Sequence, residues 1–163
     1  MPAKEKMKPA GYKDIQVEDI PTTPLANGGT VKVIAGYYEN LGKSIQGPIQ
    51  GITTAPLFLD VHLPANAEFE YRIPKELNAF VYIYEGGLEI GGPMRAVPKQ
   101  AAIVLGDGDL LKAKAGSEGA QFIVLAALPL HEPIVQYGPF VMNTRTEIEQ
   151  AIDDYQNNRF VMS

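Results

Sequence analysis

With 163 residues, a net charge of −5 and no cysteine, the chain is long enough to bury a sizeable core as one domain, and it can form neither disulfides nor thiolate metal sites. The acidic balance argues against nucleic-acid binding driven by phosphate contacts, and no apolar run approaches the roughly 20 residues of a membrane span. Only two histidines are present, His62 and His131, which excludes a histidine-rich metal centre within one chain. The lack of cysteine, and of an apolar segment after MPAKEKMKP, points to a cytoplasmic protein.

From the N-terminus, residues 1–30 read as an extended lead-in. Lys4, Lys6, Lys8 and Lys13 alternate with Glu5 and Asp14 as a solvated arm, and Pro2, Pro9, Pro21 and Pro24 preclude a long helix. Asn27-Gly28-Gly29 is a turn, Val31–Ala35 a short strand, and 36–51 a polar loop with one brief strand. In PLFLDVHLP, residues Leu57, Leu59, Val61 and Leu63 share one face and Phe58, Asp60 and His62 the other. AEFEYRI alternates again. The stretch NAFVYIYEGGLEIGG (78–92) then puts Phe80, Tyr82 and Tyr84 on one face and Val81 and Ile83 on the other. Gly86-Gly87 reads as a hairpin turn and Gly91-Gly92-Pro93 as a second.

Strands over 100–105, 109–114 and 120–128 follow, the last so apolar that it belongs at the centre of a sheet, buried on both faces. Many short strands at close spacing predict an all-β antiparallel sandwich or barrel over residues 31–142. Residues 129–142 are proline-rich and extended. A single C-terminal helix occupies the 143–163 segment: Thr144 and Glu147 have capping-box spacing, and Ile148, Ala151, Ile152 and Tyr155 form one apolar stripe expected to be buried.

The two glycine-marked segments, 78–92 and Gly106-Asp-Gly-Asp109 through Gly116, resemble the paired boxes of the cupin fold, a jelly-roll-like barrel. The resemblance sharpens in IVQYGPFVMNTRTEIEQAI (134–152), VLGDGD (104–109) and the lead-in PAKEKMKPAGY, which are similar to the C-terminal half of pirins and to the segment joining their two barrels. In that family the N-terminal barrel carries the iron and the C-terminal barrel is metal-free, so the resemblance implies a pirin half without the iron-binding barrel. The cupin ligand positions fall here on Ile73, Lys75, Ala79 and Gly119, with Arg72 and Pro74 replacing the first two in the longer spacing and Lys114 at the proline position. None of these is a suitable ligand; an ammonium repels a cation, and Ala79 and Gly119 carry no donor atom.

Other candidates reduce to simpler roles. His62 reads as a structural or surface histidine and His131-Glu132 as a loop, Asp107 and Asp109 suit tight turns rather than calcium, and neither a nucleophile elbow nor a phosphate loop is present. The row Phe80, Tyr82, Tyr84 could line a barrel pocket, although core packing explains it as well. The expectation is therefore a metal-free structural, interaction or small-ligand-binding module with no catalytic residue of its own and no cofactor. The alternative, implied by the family, is quercetin 2,3-dioxygenase activity dependent on a metal-binding half. A homodimer is the expected partner state, protein partners are open, and nucleic acid and membranes are not expected.

Overall fold

The computed structural model describes residues 1–9 and 11–160. They divide into two units, one formed by residues 15–129 and the other by residues 1–14 together with 130–163. This division differs from the expected one: the lead-in is shared between the units, and 130–142 goes with the helix.

The larger unit contains β1 (Thr22–Pro24), β2 (Thr30–Ala35), β3 (Tyr37–Asn40), β4 (Lys43–Gln46), β5 (Leu57–Leu63), β6 (Glu68–Arg72), β7 (Asn78–Ile90), β8 (Arg95–Pro98), β9 (Ala101–Val104) and β10 (Leu110–Ala127). An eight-stranded antiparallel sheet runs β1-β2-β5-β10-β7-β8, with β6 added to β10 and β9 to β7. β10 is central, as its apolar run predicts, but only alternate residues are fully buried and the opposite face is half-buried. Leu59, Val61, Val81, Ile83, Phe122 and Val124 are inaccessible to solvent and fill the interior. Phe69 meets Phe122 edge to face, with ring centroids 5.8 Å apart.

Two expectations fail for one reason. Gly86-Gly87 is no hairpin turn, since β7 runs through it for 13 residues. Likewise the expected strands 109–114 and 120–128 are one 18-residue strand, β10. Each long strand changes partners along its length. The first part of β7 (80–83) pairs with β9 and its last part (87–90) with β8, while β10 moves from β6 to β5. The register between β7 and β10 slips between Ala115 and Ala120. There Gly86 adopts φ +68° and Gly119 φ +83°. A Cβ on Gly86 would lie 2.1 Å from the Gly119 carbonyl oxygen. The glycines make a bulge that bends two continuous strands, not a turn that reverses one.

The loop expected over 36–51 is instead the hairpin β3–β4, closed by Leu41 (φ +50°) and Gly42 (φ +76°) in a two-residue turn of the primed type. Leucine is an uncommon residue at such a position, so the turn left little trace in sequence.

In the smaller unit, β11 (Val135–Tyr137) and β12 (Phe140–Met142) form a hairpin in the segment expected to be merely extended, and α1 spans Arg145–Gln156. The capping box is present: the Glu147 amide donates to Thr144 Oγ1 at 3.2 Å, and the Thr144 amide donates to Glu147 Oε2 at 2.8 Å. Ile148 and Ala151 are buried, Ile152 is half-buried, and Tyr155, expected inside, is 67% exposed with one edge-to-face contact to Phe140. No helix among the described residues is long and apolar enough to cross a membrane.

Replacing Gly86 by alanine forces a side chain into left-handed backbone, which alone costs about 1–2 kcal/mol. The clash with Gly119 adds to that cost. Urea unfolding of Gly86→Ala should show a larger loss than this, while Gly92→Ala, with open space around its Cβ position, should stay within about 0.5 kcal/mol of the parent. A second expectation concerns acid. Hydrogen bonds from the Asn143 and Thr144 amides hold the Glu147 carboxyl below its ordinary pKa. A carboxyl lowered in the folded state stabilises above its unfolded pKa, and that contribution is lost as pH falls through the folded value. The difference in melting temperature between the parent and Glu147→Gln should therefore be present near neutrality and shrink toward zero in acid.

Candidate functional site

The barrel mouth is where a cupin would assemble a centre. Ile73, the Pro74–Leu77 turn, both ends of β7 and the segment 105–112 surround a cavity of about 300 Å³. The turn is closed by the Leu77 amide on the Pro74 carbonyl at 3.1 Å. Ile73 is 5% exposed and belongs to the core, and its amide donates to the Asp109 carbonyl at 3.0 Å. Ala79 packs half-buried against the same core, and its carbonyl accepts from the Leu105 amide at 3.0 Å. Lys75 is exposed on the turn but lines the cavity.

Thus Ile73, Lys75 and Ala79 come together at the mouth. Gly119 does not join them; it lines a separate cavity of about 120 Å³ beside His62, Glu85 and Glu118. Arg72 and Pro74, the longer-spacing positions, are both exposed, and Arg72 pairs with Asp109 at 2.9 Å. Lys114 lies half-buried in β10, in register with Glu68 on β6 and Glu89 on β7. Asp107 lines the mouth cavity.

The iron of a cupin centre does not fit this donor set. A branched alkyl group, an ammonium and a methyl converge at the mouth, and no three His, Asp or Glu side chains are placed to hold a metal ion among the described residues. Nor could position 119 accept histidine without rebuilding, since a Cβ there would lie 2.8 Å from the Leu63 carbonyl oxygen, on backbone at φ +83°.

The row Phe80, Tyr82, Tyr84 does not face the interior. Val81 and Ile83 do, at 0% exposure, and the aromatic row lies on the outer surface of the sheet, with Phe80 39% exposed. Its member Tyr84 makes a contact that sequence reasoning did not assemble. Tyr84 Oη donates to Asp60 Oδ1 at 2.6 Å, reaching from β7 past β10 to β5. His62 Nε2 lies 2.8 Å from the same phenol oxygen and 3.2 Å from Asp60 Oδ1, and Lys32 Nζ is 3.9 Å from Asp60 Oδ2. The phenol has one proton and gives it to Asp60, so the network assigns His62 Nε2 as a donor. Burial, then the bond to Asp60 and its charge, push the Tyr84 phenol far above its ordinary pKa. The protonated phenol joins β7 to β5 across β10. The alternation of PLFLDVHLP had put Asp60 and His62 on one face; only the register of β7 could have added Tyr84.

His131 is exposed at φ +52°, and its neighbour Glu132 accepts from the Ala3 amide at 2.8 Å and from Asn143 Nδ2 at 3.0 Å. Glu132 therefore ties the N-terminal residues to the C-terminal segment within the smaller unit.

Comparison with known proteins accords with this geometry. The Pirin C-terminal cupin domain family matches residues 58–161. A Pseudomonas aeruginosa protein named as a candidate quercetin 2,3-dioxygenase is 43% identical over 96% of this chain and 55% of its own length. Pirin-1 of Arabidopsis thaliana is 38% identical, over all of this chain and 57% of its own length. The crystal structure of quercetin 2,3-dioxygenase from Acinetobacter baumannii superposes with a TM-score of 0.84 at 30% identity, covering 98% of this chain and 54% of that one. The chain spans about half the length of the curated relatives it matches. The barrel has the cupin fold, and by its C-terminal cupin domain the chain belongs to the pirin family.

Proposed function

We propose that this chain is a metal-free cupin domain acting, in the cytoplasm, as a structural or interaction module and a binder of small ligands, not catalytic on its own. The observation that carries the reading is the chemistry at the ligand positions. Ile73 and Ala79 are part of an apolar core, Lys75 brings positive charge, and Gly119 is locked against the Leu63 carbonyl. A side chain that must bind iron needs a lone pair aimed inward, and filling the same space with alkyl groups stabilises the barrel instead. The second reading, a pirin-type quercetin 2,3-dioxygenase dependent on a metal-binding half, is favoured by the names of the Pseudomonas and Acinetobacter relatives. Elemental analysis separates the two for this polypeptide. Purified chain should carry well under one equivalent of iron, nickel, copper or zinc and should not turn over quercetin when iron is added. Stoichiometric iron that survives EDTA and gel filtration overturns the proposal.

The partner we assign is a second copy, meeting along β9. Among the described residues this strand pairs with β7 alone; it consists of Ala101, Ala102, Ile103 and Val104 and leaves Val104 84% exposed. An uncharged edge strand without proline invites pairing, and two identical edges meeting antiparallel generate a two-fold axis. Light scattering behind gel filtration should give twice 17.7 kDa for the parent and a value near the monomer for Val104→Lys. A monomer mass for the parent at two concentrations a decade apart would reject the dimer. A dimer indifferent to Val104→Lys would reject its placement on β9.

A further inference from the structure

A second cavity of the barrel unit, larger than the one at the mouth, lies on the other side of Leu77, which lines both. It is a cleft of about 400 Å³ bounded by the start of β3, the segment 49–57, and the end of β6 with its following turn. That volume falls within the range of about 300–1,000 Å³ in which proteins bury small organic ligands. Its surface is mostly apolar, and three large exposed hydrophobic residues converge on it: Tyr37 at 52% exposure, Ile52 at 48% and Leu128 at 37%. Apolar groups gathered around a concave surface open to water mark a binding site more often than a scattering of single exposed residues does.

The walls are held in place before any ligand arrives. Gln50 Nε2 donates to the carbonyls of Gly36 at 3.1 Å and Gly47 at 3.0 Å, and Tyr71 Oη donates to the Tyr37 carbonyl at 2.8 Å. The Leu128 amide reaches the Thr54 carbonyl at 2.8 Å, and Ala55 is held at φ +44°, a left-handed conformation that a non-glycine residue keeps only where its surroundings enforce it. Such preorganisation lowers the ordering cost of binding.

Charge then selects the ligand. Among the described residues, Glu76 supplies the one carboxylate of the lining, and no lysine, arginine or histidine lines the cleft. The Tyr71 phenol, raised to about 12 mainly by burial and further by Tyr38 and Glu39, stays neutral under ordinary conditions. The surface therefore offers aromatic and branched apolar contact with a negative rim, which suits an uncharged or cationic aromatic molecule and disfavours an anion.

We infer that this flank cleft, between Tyr37, Ile52 and Tyr71, is the small-molecule site of the domain and takes an uncharged or cationic aromatic ligand, with Glu76 rejecting anions. The inference deepens the ligand-binding part of the proposed function. The cleft shares Leu77 of the 74–77 turn with the mouth cavity but includes none of Ile73, Lys75, Ala79 and Gly119, so probe binding and metal content are separate readouts.

The test is fluorescence titration of the full chain, freed of metal by EDTA, with the neutral probe N-phenyl-1-naphthylamine. Saturable binding of one probe per chain is expected. Ile52→Lys should weaken it by about tenfold or more, because a charge is driven against an apolar wall. Met94→Lys, on an exposed turn elsewhere, should leave it unchanged, with melting temperatures confirming that both variants fold. Should Ile52→Lys fail to fold, Ile52→Ser takes its place with the same expected direction. The anionic probe 8-anilinonaphthalene-1-sulfonate should bind more weakly than the neutral one, and Glu76→Gln should narrow that gap. The inference is overturned if the neutral signal does not saturate, if it survives loss of Ile52, if Met94→Lys weakens it equally, or if the sulfonate binds as tightly as the neutral probe. A signal that falls as the protein is concentrated would assign the cleft to a second copy of the chain and overturn it equally.

Discussion

The approach of Gly86 to the Gly119 carbonyl is the constraint on which the barrel depends. Two strands, β7 and β10, pass through the whole unit and supply pairing partners to both ends of it. A straight antiparallel pair of such length would be a ribbon. Here the ladder breaks between Ala115 and Ala120, both glycines turn to positive φ, and the backbones close to a separation that no Cβ could occupy. The bend allows the two halves of each strand to face one another and enclose Phe122, Leu59 and Ile83. Gly119 in turn rests on the Leu63 carbonyl, so the corner is a stack of three backbones with no side chain between them.

That stack has a chemical consequence. One of the positions where a cupin would place a ligand is occupied by the glycine that shapes the corner. Of the other expected positions, Ile73 lies in the core, Ala79 is half-buried against it and Lys75 is exposed. A polar network lies on the outer face of the sheet. There Asp60, His62, Tyr84 and Lys32 satisfy one another. A network in which the phenol proton is committed to Asp60 fastens β7 to β5 across β10.

Much of this was legible in the sequence, and the limits are instructive. Period-two alternation separated Val81 and Ile83 from Phe80, Tyr82 and Tyr84, but both sets are hydrophobic, so pattern alone could not say which faces inward. Packing decided it: on β7 the branched Val81 and Ile83 face the interior, beside Phe122 and Phe69, and Phe80 lies toward the surface. Gly86-Gly87 reads equally as a turn or as a bulge, and the difference lies in β10, some thirty residues away. The helix was clear because a capping box is local, whereas the exposure of Tyr155 depends on how far the facing hairpin extends. The β3–β4 turn escaped notice because Leu41 takes a conformation usually left to asparagine or glycine.

The flank cleft was invisible for a deeper reason: its walls come from segments far apart in sequence, none of which carries a motif. Its origin is nonetheless physical. Pro48 and Pro56 have no amide hydrogen to give a ladder. Between them an isolated bridge, Ala35 to Ile49, pairs the segment with the end of β2. The segment cannot join the sheet, so it arches over the ends of β5 and β6 and leaves a gap that Leu57 and Tyr71 line from below. Beside a barrel whose core is densely packed, a gap opens where the chain is prevented from pairing. A proline-bounded segment beside the sheet provides such a place, and the filled core beneath keeps it rigid.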